Sequence, residues 1–401
     1  MTIDPRCSLL FLIPTLNGGG AQRVVATLLH HLDRSKFRMT IAAVDMRDAI
    51  FRDDVPADVD VIDLGCTRVR HALVKIVQLI RRLRPDVVFS TLGSMNLALA
   101  ALRPVLPNGI RYVARETIVV SDSMAEPSSP VWWPWACRRL YPLFDAVVCQ
   151  SGAMRDDLVE NFGLSAAKTA VIHNPVDIER IRVLAGERPQ AGWAGRPPRG
   201  NKQSGEATFA HEPILNPFDS VTKHPESKCI QLVAAGRLVP QKGFDLLIEA
   251  LSLCADSRLA LTILGKGPLK DGLEQLAKDR GVQQQVRFVG FQRNPYPYLA
   301  QADAFVLSSH YEGSPNVVLE ALACGTPVVS TPVPAALEIL QDLPQCEMAE
   351  DFTGEALARA LRNLLERPLR RMPADVVDAY AAGAIARQYE QALTHVTAVR
   401  Y

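Results

Sequence analysis

Two stretches, GRLVPQKGFDLL at 236–247 and SSHYEGSPNVVLEALACGTPVV at 308–329, decide the fold. Each reads as the end of an apolar strand, a polar turn and the opening of a helix. Gln231–Ala235 supplies the first strand. After Lys242, the apolar positions Phe244, Leu247, Ile248 and Leu251 recur at helical spacing and make one buried stripe. Further strands are expected at 259–264, 285–289, 303–307 and 327–330, with helices between them. Apolar strands alternating with amphipathic helices indicate a parallel sheet covered on both faces.

The same alternation runs through the first half. Strands are expected at Ser8–Ile13, Met39–Val44, Val59–Asp63, Val87–Ser90, Arg111–Ala114 and Ala146–Cys149, with a helix from about Ala21 to Leu32. Between the halves, residues 186–228 lose apolar periodicity and are dominated by Gly, Pro, Ser, Lys and Asn, as a linker or surface excursion would be. The chain therefore divides into 1–185, a linker at 186–228 and 229–375. Two Ala- and Leu-rich helices are expected at about 353–366 and 376–395, the second as a candidate to pack back on the first domain. A length of 401 residues fits two cores better than one.

Composition narrows the function classes. A net charge of +1 gives no bulk attraction for nucleic acid. The apolar run Leu9–Pro14 is far too short for a membrane span or a signal-peptide core. The eight cysteines are scattered, with no Cys-x-x-Cys pair, which fits a reduced cytoplasmic chain and argues against structural zinc.

The deciding stretches also carry the candidate chemistry. Arg237 can fork two phosphate oxygens, and Lys242 adds a mobile charge beside a helix start whose amides are unpaired. Together they can hold a diphosphate without a metal; solvated loop cations are the bland alternative. Glu312 lies on the second turn and Glu320 in the following helix, amid the core-like run VVLEALA, where an acid needs a partner. A carboxylate can accept from two vicinal hydroxyls. Pro315 suits a first helical position, and the amides of Gly313–Val317 can meet an anion or a hydroxyl. Cations with polyol-binding acids suit a ligand that is half phosphate and half sugar.

The first half offers a rim of its own. The turn Asn17-Gly18-Gly19-Gly20 lets a ligand approach the backbone, with Arg23 one turn into the helix, but lacks the dinucleotide and P-loop spacings. Arg115-Glu116 closes a strand, where charged residues are expected to face the ligand crevice. Ser94, Asn96 and Ser151 share that rim, and helix capping is the simpler reading for Ser151. Arg68–Arg84 holds six Lys/Arg and no acid, around a stripe of Leu73, Ile76, Val77, Ile80 and Leu83. Val131-Trp132-Trp133-Pro134-Trp135 precedes Arg138-Arg139. The stripe and part of the indole cluster belong in a core; the remainder suits an anionic membrane surface.

GRLVPQKGFDLLIEAL and EGSPNVVLEALACGTPVV resemble the nucleotide-sugar half of the GT4 family of retaining glycosyltransferases. The Gly-rich first loop, VVCQS at 147–151 and VIHNPVD at 171–177 are similar to its acceptor half. The likeness covers most of the chain except 186–228. It implies the GT-B fold: two Rossmann-like parallel-sheet domains facing across a cleft. It also implies that Arg237 and Lys242 bind the donor diphosphate, Glu320 the ribose and Glu312 the donor sugar. Gly313, Ser314, Pro315, Asn316 and Val317 would offer contacts, Gly19 and Gly20 would approach the phosphates, and Lys266 in its GKGP turn would lie beside diphosphate or base. Many members carry a His after the strand equivalent to 111–114. Here Arg115-Glu116 stands there, and Glu116 is the acceptor-side catalytic candidate, with Arg115 beside it.

The implied reaction is transfer of a hexose or N-acetylhexosamine, from UDP first of all, to a lipid-linked sugar acceptor in bacterial surface polysaccharide synthesis. No cofactor and no metal are expected, and the location is cytoplasmic, at most peripheral on the inner membrane face. A soluble acceptor is the second reading. A non-catalytic nucleotide-sugar-binding protein is less favoured, since Arg237, Lys242, Glu312 and Glu320 occur together. A sugar-nucleotide epimerase would need acid/base residues that no convincing set provides.

Overall fold

A computed structural model describes residues 5–17, 19–124, 130–187 and 229–398. The stretch 186–228, apart from Gly186 and Glu187, lies outside the described residues, as does Gly18 of the first turn. The chain forms two compact units. One comprises residues 1–177, Glu312–Asn316 and 378–401; the other comprises 178–311 and 317–377. The helix Ile178–Ala185, read from sequence with the first half, thus counts with the second unit, and the short loop Glu312–Asn316 with the first.

The first unit is built on seven parallel strands: β1 Cys7–Thr15, β2 Phe37–Asp45, β3 Asp60–Asp63, β4 Val87–Thr91, β5 Arg111–Arg115, β6 Ala146–Cys149 and β7 Thr169–Val171. Their order across the sheet is β3-β2-β1-β4-β5-β6-β7. Alternate residues point to opposite faces, and both faces are covered. Leu10, Leu12, Val88, Tyr112 and Ala114 pack beneath one set of helices. Leu9, Phe11, Ile13, Phe89 and Val113 pack on the other face, with Ile385, Tyr389 and Leu393 of the C-terminal helix Ala382–Ala398. Burial on both faces is why these strands read as unbroken apolar runs rather than as alternating ones.

The second unit repeats the arrangement with β8 Ile230–Ala235, β9 Leu259–Leu264, β10 Val286–Gly290, β11 Ala304–Leu307, β12 Val328–Ser330 and β13 Glu347–Met348. The order is β10-β9-β8-β11-β12-β13, again all parallel. In each sheet the winding reverses once, between β1 and β4 and between β8 and β11. Ligands of doubly wound sheets bind beyond the carboxyl ends of the strands at that reversal.

Two strands, β7 and β13, have no counterpart in the sequence reading, and the last helix begins at Ala382 rather than near 376. The reason for the late start is local. Val176 pairs with Ala381, donating to the Tyr380 carbonyl and accepting from the Ala382 amide, so this backbone is taken up in a bridge before the helix begins.

Candidate functional site

The turn after β8 is assembled around a lysine. Gly236 donates to the Leu264 carbonyl, and a Cβ at Gly236 would sit 3.1–3.2 Å from the methylenes of Lys242. The lysine stem therefore lies over Gly236, at the carboxyl end of β8. Pro240–Lys242 forms one 3-10 turn, closed by Gly243 at φ 54°. A side chain at Gly243 would overlap the Ser308 carbonyl as well as occupy the left-handed region. Three bonds stitch this loop to the turn after β11: Ser308 Oγ donates to the Lys242 carbonyl (2.8 Å), the His310 amide to the Gln241 carbonyl (2.9 Å), and Gln241 Nε2 to the Tyr311 carbonyl (3.0 Å). Lys242 is thus held, half-buried, where the winding reverses.

Arg237 is exposed on the same turn, anchored by buried Leu238. The turn after β9 packs directly against it. The Leu238 amide donates to the Lys266 carbonyl (3.0 Å), and a Cβ on Gly265 or Gly267 would overlap the carbonyl of Gly236 or Leu238. These two glycines of the GKGP turn are therefore required by close backbone contact. Lys266 between them is exposed. Arg237, Lys242 and Lys266 are brought to one rim.

Glu320 lies in the helix Asn316–Ala323 that follows β11, and only 7% of it is exposed. Its neighbours Val318, Leu319, Ala321 and Leu322 are buried. Burial first, and the Glu320 charge second, push the Cys324 thiol up to about 12. The helix begins at Asn316, one residue after Pro315, and Val317 is half-buried in its first turn.

Glu312, Gly313, Ser314, Pro315 and Asn316 cluster with the first unit. Glu312 is buried, and a Cβ at Gly313 would overlap the Thr117 carbonyl. Asn316 Oδ1 accepts from Asn174 Nδ2, and its amide nitrogen would lie 2.7 Å from a Cβ on Gly20. A Cβ on Gly19 would lie 2.5 Å from Gln22 Oε1.

Arg115 and Glu116, expected at the carboxyl end of β5 to face the ligand crevice, are enclosed by the protein. Both are buried, at 0% and 1% exposure. The Arg115 guanidinium donates to Tyr389 Oη (3.2 Å), Thr91 Oγ1 (3.3 Å) and Asn174 Oδ1, all neutral oxygens. Glu116 accepts from the Tyr141 hydroxyl, the Thr117 amide (2.9 Å) and Asn96 Nδ2 (3.4 Å). Burial outweighs these donors and raises its pKa above the ordinary carboxylate value. Asn96, placed on the rim by sequence, is buried between Ser90 and Glu116. Ser151 caps its helix by accepting from the Met154 amide.

Sequence reasoning quoted Gln150 and Asn174 only within VVCQS and VIHNPVD, without assigning either a role, and missed Tyr141. Gln150 Nε2 donates to the Glu116 carbonyl (2.6 Å), and Asn174 links Arg115, Gln150 and Asn316. Their available signal was position: Gln150 follows β6 and Asn174 comes three residues after β7, at the carboxyl ends where polar side chains gather.

Two doubly wound parallel sheets, one bearing a cation-lined rim at its reversal, define a protein of the GT-B class. Known proteins agree. The model for Glycosyltransferase Family 4 matches residues 18–180, and that for Glycosyl transferases group 1 matches 219–380. The chain belongs to the GT4-type glycosyltransferases. It is 27% identical over 365 residues to the N-acetylgalactosamine-N,N'-diacetylbacillosaminyl-diphospho-undecaprenol 4-alpha-N-acetylgalactosaminyltransferase of Campylobacter jejuni, covering 88% of this chain and 89% of that one. It is 40% identical over 134 residues to the lipopolysaccharide core biosynthesis glycosyltransferase LpsE of Rhizobium meliloti, covering 33% of this chain and 39% of that one. Among solved structures, HepE of Anabaena in complex with UDP and glucose aligns with a TM-score of 0.73 at 17% identity, covering 97% of this chain and 100% of that one. Sucrose-phosphate synthase of Thermosynechococcus elongatus aligns with a TM-score of 0.76 at 16% identity, covering 98% and 100%.

Proposed function

We propose that this glycosyltransferase moves a hexose or N-acetylhexosamine from a UDP-sugar to a lipid-linked saccharide in surface polysaccharide synthesis, with retention at the anomeric carbon. The observation that carries the donor half is the convergence of Arg237, Lys242 and Lys266 on one rim of the second sheet, where a diphosphate would be neutralised. UDP is favoured because a protein of the same fold has been solved with UDP and glucose. The acceptor half rests on the Campylobacter relative, whose name specifies an undecaprenol-linked diphosphate acceptor and which aligns along most of both chains.

In the proposed reaction the anomeric carbon–phosphate oxygen bond breaks while the acceptor hydroxyl attacks the same face. The hydroxyl proton passes to the departing diphosphate. Arg237, Lys242 and nearby helix-start amides stabilise the charge that develops on that leaving group. Side-chain cations take the neutralising role, so no metal is assigned. Glu320 is assigned to the ribose hydroxyls, Glu312 to the donor sugar, and Gly19, Gly20 and the amides of 313–317 to further contacts with the donor. Because Glu116 is enclosed by Tyr141, Asn96 and Thr117, we assign it the positioning of the turn after β5.

A peripheral membrane location belongs to the same proposal. Among the described residues no helix is long and apolar enough to cross a membrane. Val131 (97% exposed), Trp132 (58%) and Trp135 (65%) stand beside exposed Arg138 and Arg139. The helix Val69–Leu83 buries Ala72, Ile76, Leu79 and Ile80 in the core and presents Arg70, Arg81 and Arg82 outward. Exposed indoles with cations favour the anionic bilayer interface. The test is transfer of label from UDP-sugars to an undecaprenol-linked saccharide. Labelling of soluble glycosides alone would replace the lipid acceptor with a soluble one.

A further inference from the structure

Arg115 closes β5 as a fully buried cation. Tyr389 Oη, Thr91 Oγ1 and Asn174 Oδ1, the oxygens it bonds, come from the C-terminal helix, from β4 and from the segment after β7. Taking a guanidinium out of water is costly, and neutral oxygens offset that cost less well than a carboxylate would, so stability alone is a poor reason for a cation here. What a guanidinium supplies is polarity. It has five N–H donors and no acceptor, and it stays charged at any pH a folded protein meets.

That polarity spreads through three amides. An amide that meets Arg115 must offer its oxygen, so Asn174 Oδ1 faces the guanidinium and its Nδ2 points away. Nδ2 donates to Gln150 Oε1 (2.9 Å) and to Asn316 Oδ1. Gln150 in consequence turns its Nε2 to the Glu116 carbonyl (2.6 Å). Asn316 in consequence turns its Nδ2 away from Asn174 and over Gly20, where a Cβ would lie 2.7 Å from that nitrogen. Asn174 and Gln150 are buried, Asn316 is half-buried, and Gly19 and Gly20 are exposed. The chain of amides therefore begins on a core cation and ends at the surface.

The segment that carries Asn316 has a second seat. Gly313 lies against the Thr117 carbonyl, and the Thr117 amide is itself held by Glu116 (2.9 Å). The two neighbours that end and follow β5 thus each fix one end of Glu312–Asn316.

We propose that Arg115 is a positioning residue: through Asn174 it holds Asn316 with its Nδ2 towards the Gly19–Gly20 turn, and so seats the segment Glu312–Asn316. This role replaces the direct substrate contact expected for Arg115 from sequence. Its consequence for the reaction rests on the assignment of Glu312 to the donor sugar.

The experiment is hydrogen exchange on the full-length, ligand-free wild type, Arg115→Met and Asn174→Leu, followed by calorimetric titration of each with UDP, UDP-glucose and UDP-N-acetylgalactosamine. In both variants the amides of 312–317 should exchange about tenfold faster, the scale of one lost hydrogen bond to a buried group. Exchange in β1 and β4 should stay within about twofold of the wild type. UDP affinity should likewise change by less than about twofold, while the UDP-sugar that the wild type binds best should weaken about tenfold. Unchanged exchange at 312–317 would overturn the proposal, and so would an acceleration that reaches β1 and β4 equally, since that is general loosening of the core. Equal weakening of UDP and UDP-sugar would also overturn it. A wild type that binds none of the three nucleotides would overturn the nucleotide-sugar reading instead, and the exchange result would still decide the role of Arg115. Should Arg115→Met not fold, Asn174→Leu, which leaves the guanidinium its bonds to Tyr389 and Thr91, carries the same test.

Discussion

The Ser308 hydroxyl donates to the backbone carbonyl of Lys242 at 2.8 Å. It joins the turns after β8 and β11, the two strands that bracket the reversal of winding in the second sheet. Removing that bond by Ser308→Ala leaves the lysine in place but less tightly held. Loss of one such bond is worth about 1 kcal/mol, so kcat/KM should fall roughly five- to tenfold with little change in Tm. Unchanged kinetics would mean that the glycine turn alone positions Lys242.

Lys242→Ala removes the charge itself. The expected loss is about 2–4 kcal/mol of transition-state stabilisation, roughly 30- to 1,000-fold in turnover. Thermal melting separates the alternatives: a fold that collapses with the substitution would make the lysine structural, because its methylenes cover Gly236.

Gly243→Ala addresses the backbone of the same turn. Alanine at φ 54° costs about 1–3 kcal/mol, and its Cβ would overlap the Ser308 carbonyl. Tm should drop and donor affinity should weaken together. A variant with wild-type melting and affinity would show that this contact does not shape the site.

Glu116 supplies a pH signature. Its folded pKa is raised by burial, so its contribution to stability is greatest below the ordinary carboxylate value and declines as pH rises through the folded value. Glu116→Gln is neutral at every pH and can still accept from Tyr141. The stability of the wild type relative to this variant should therefore fall as pH rises from 4 towards neutrality, measured by denaturant titration. A difference that is flat with pH would contradict a raised pKa.

The membrane proposal is tested by vesicle flotation. Replacing both Trp132 and Trp135 with serine should weaken binding to anionic vesicles at least about tenfold, given the apolar area of two indoles, while donor hydrolysis stays unchanged. Equal flotation of wild type and variant would remove these indoles from the interface.

Much of this architecture was legible because parallel strands buried on both faces leave long apolar runs. The three residues of β7 and two of β13 are too short to make such a signal. The rim cations were legible because Arg237 and Lys266 closely follow the ends of β8 and β9, and Lys242 comes just before the helix that opens at Phe244. The surroundings of Arg115 and Glu116 were not. Their burial depends on Tyr141, Asn174 and Tyr389, which lie 25, 59 and 274 residues further along the chain from their respective partners. A strand-end charge looks the same in sequence whether it meets solvent or a partner from another strand.

The most decisive measurement is incubation of the purified protein with radiolabelled UDP-sugars and an undecaprenol-diphosphate-linked saccharide, with label counted in the lipid phase and the new linkage examined by NMR. Transfer into the lipid phase with the anomeric configuration of the donor, abolished by Lys242→Ala, is the expected result. Inversion at that carbon, or label that never leaves UDP-sugar with any lipid or soluble acceptor although UDP binds, would contradict the proposed reaction.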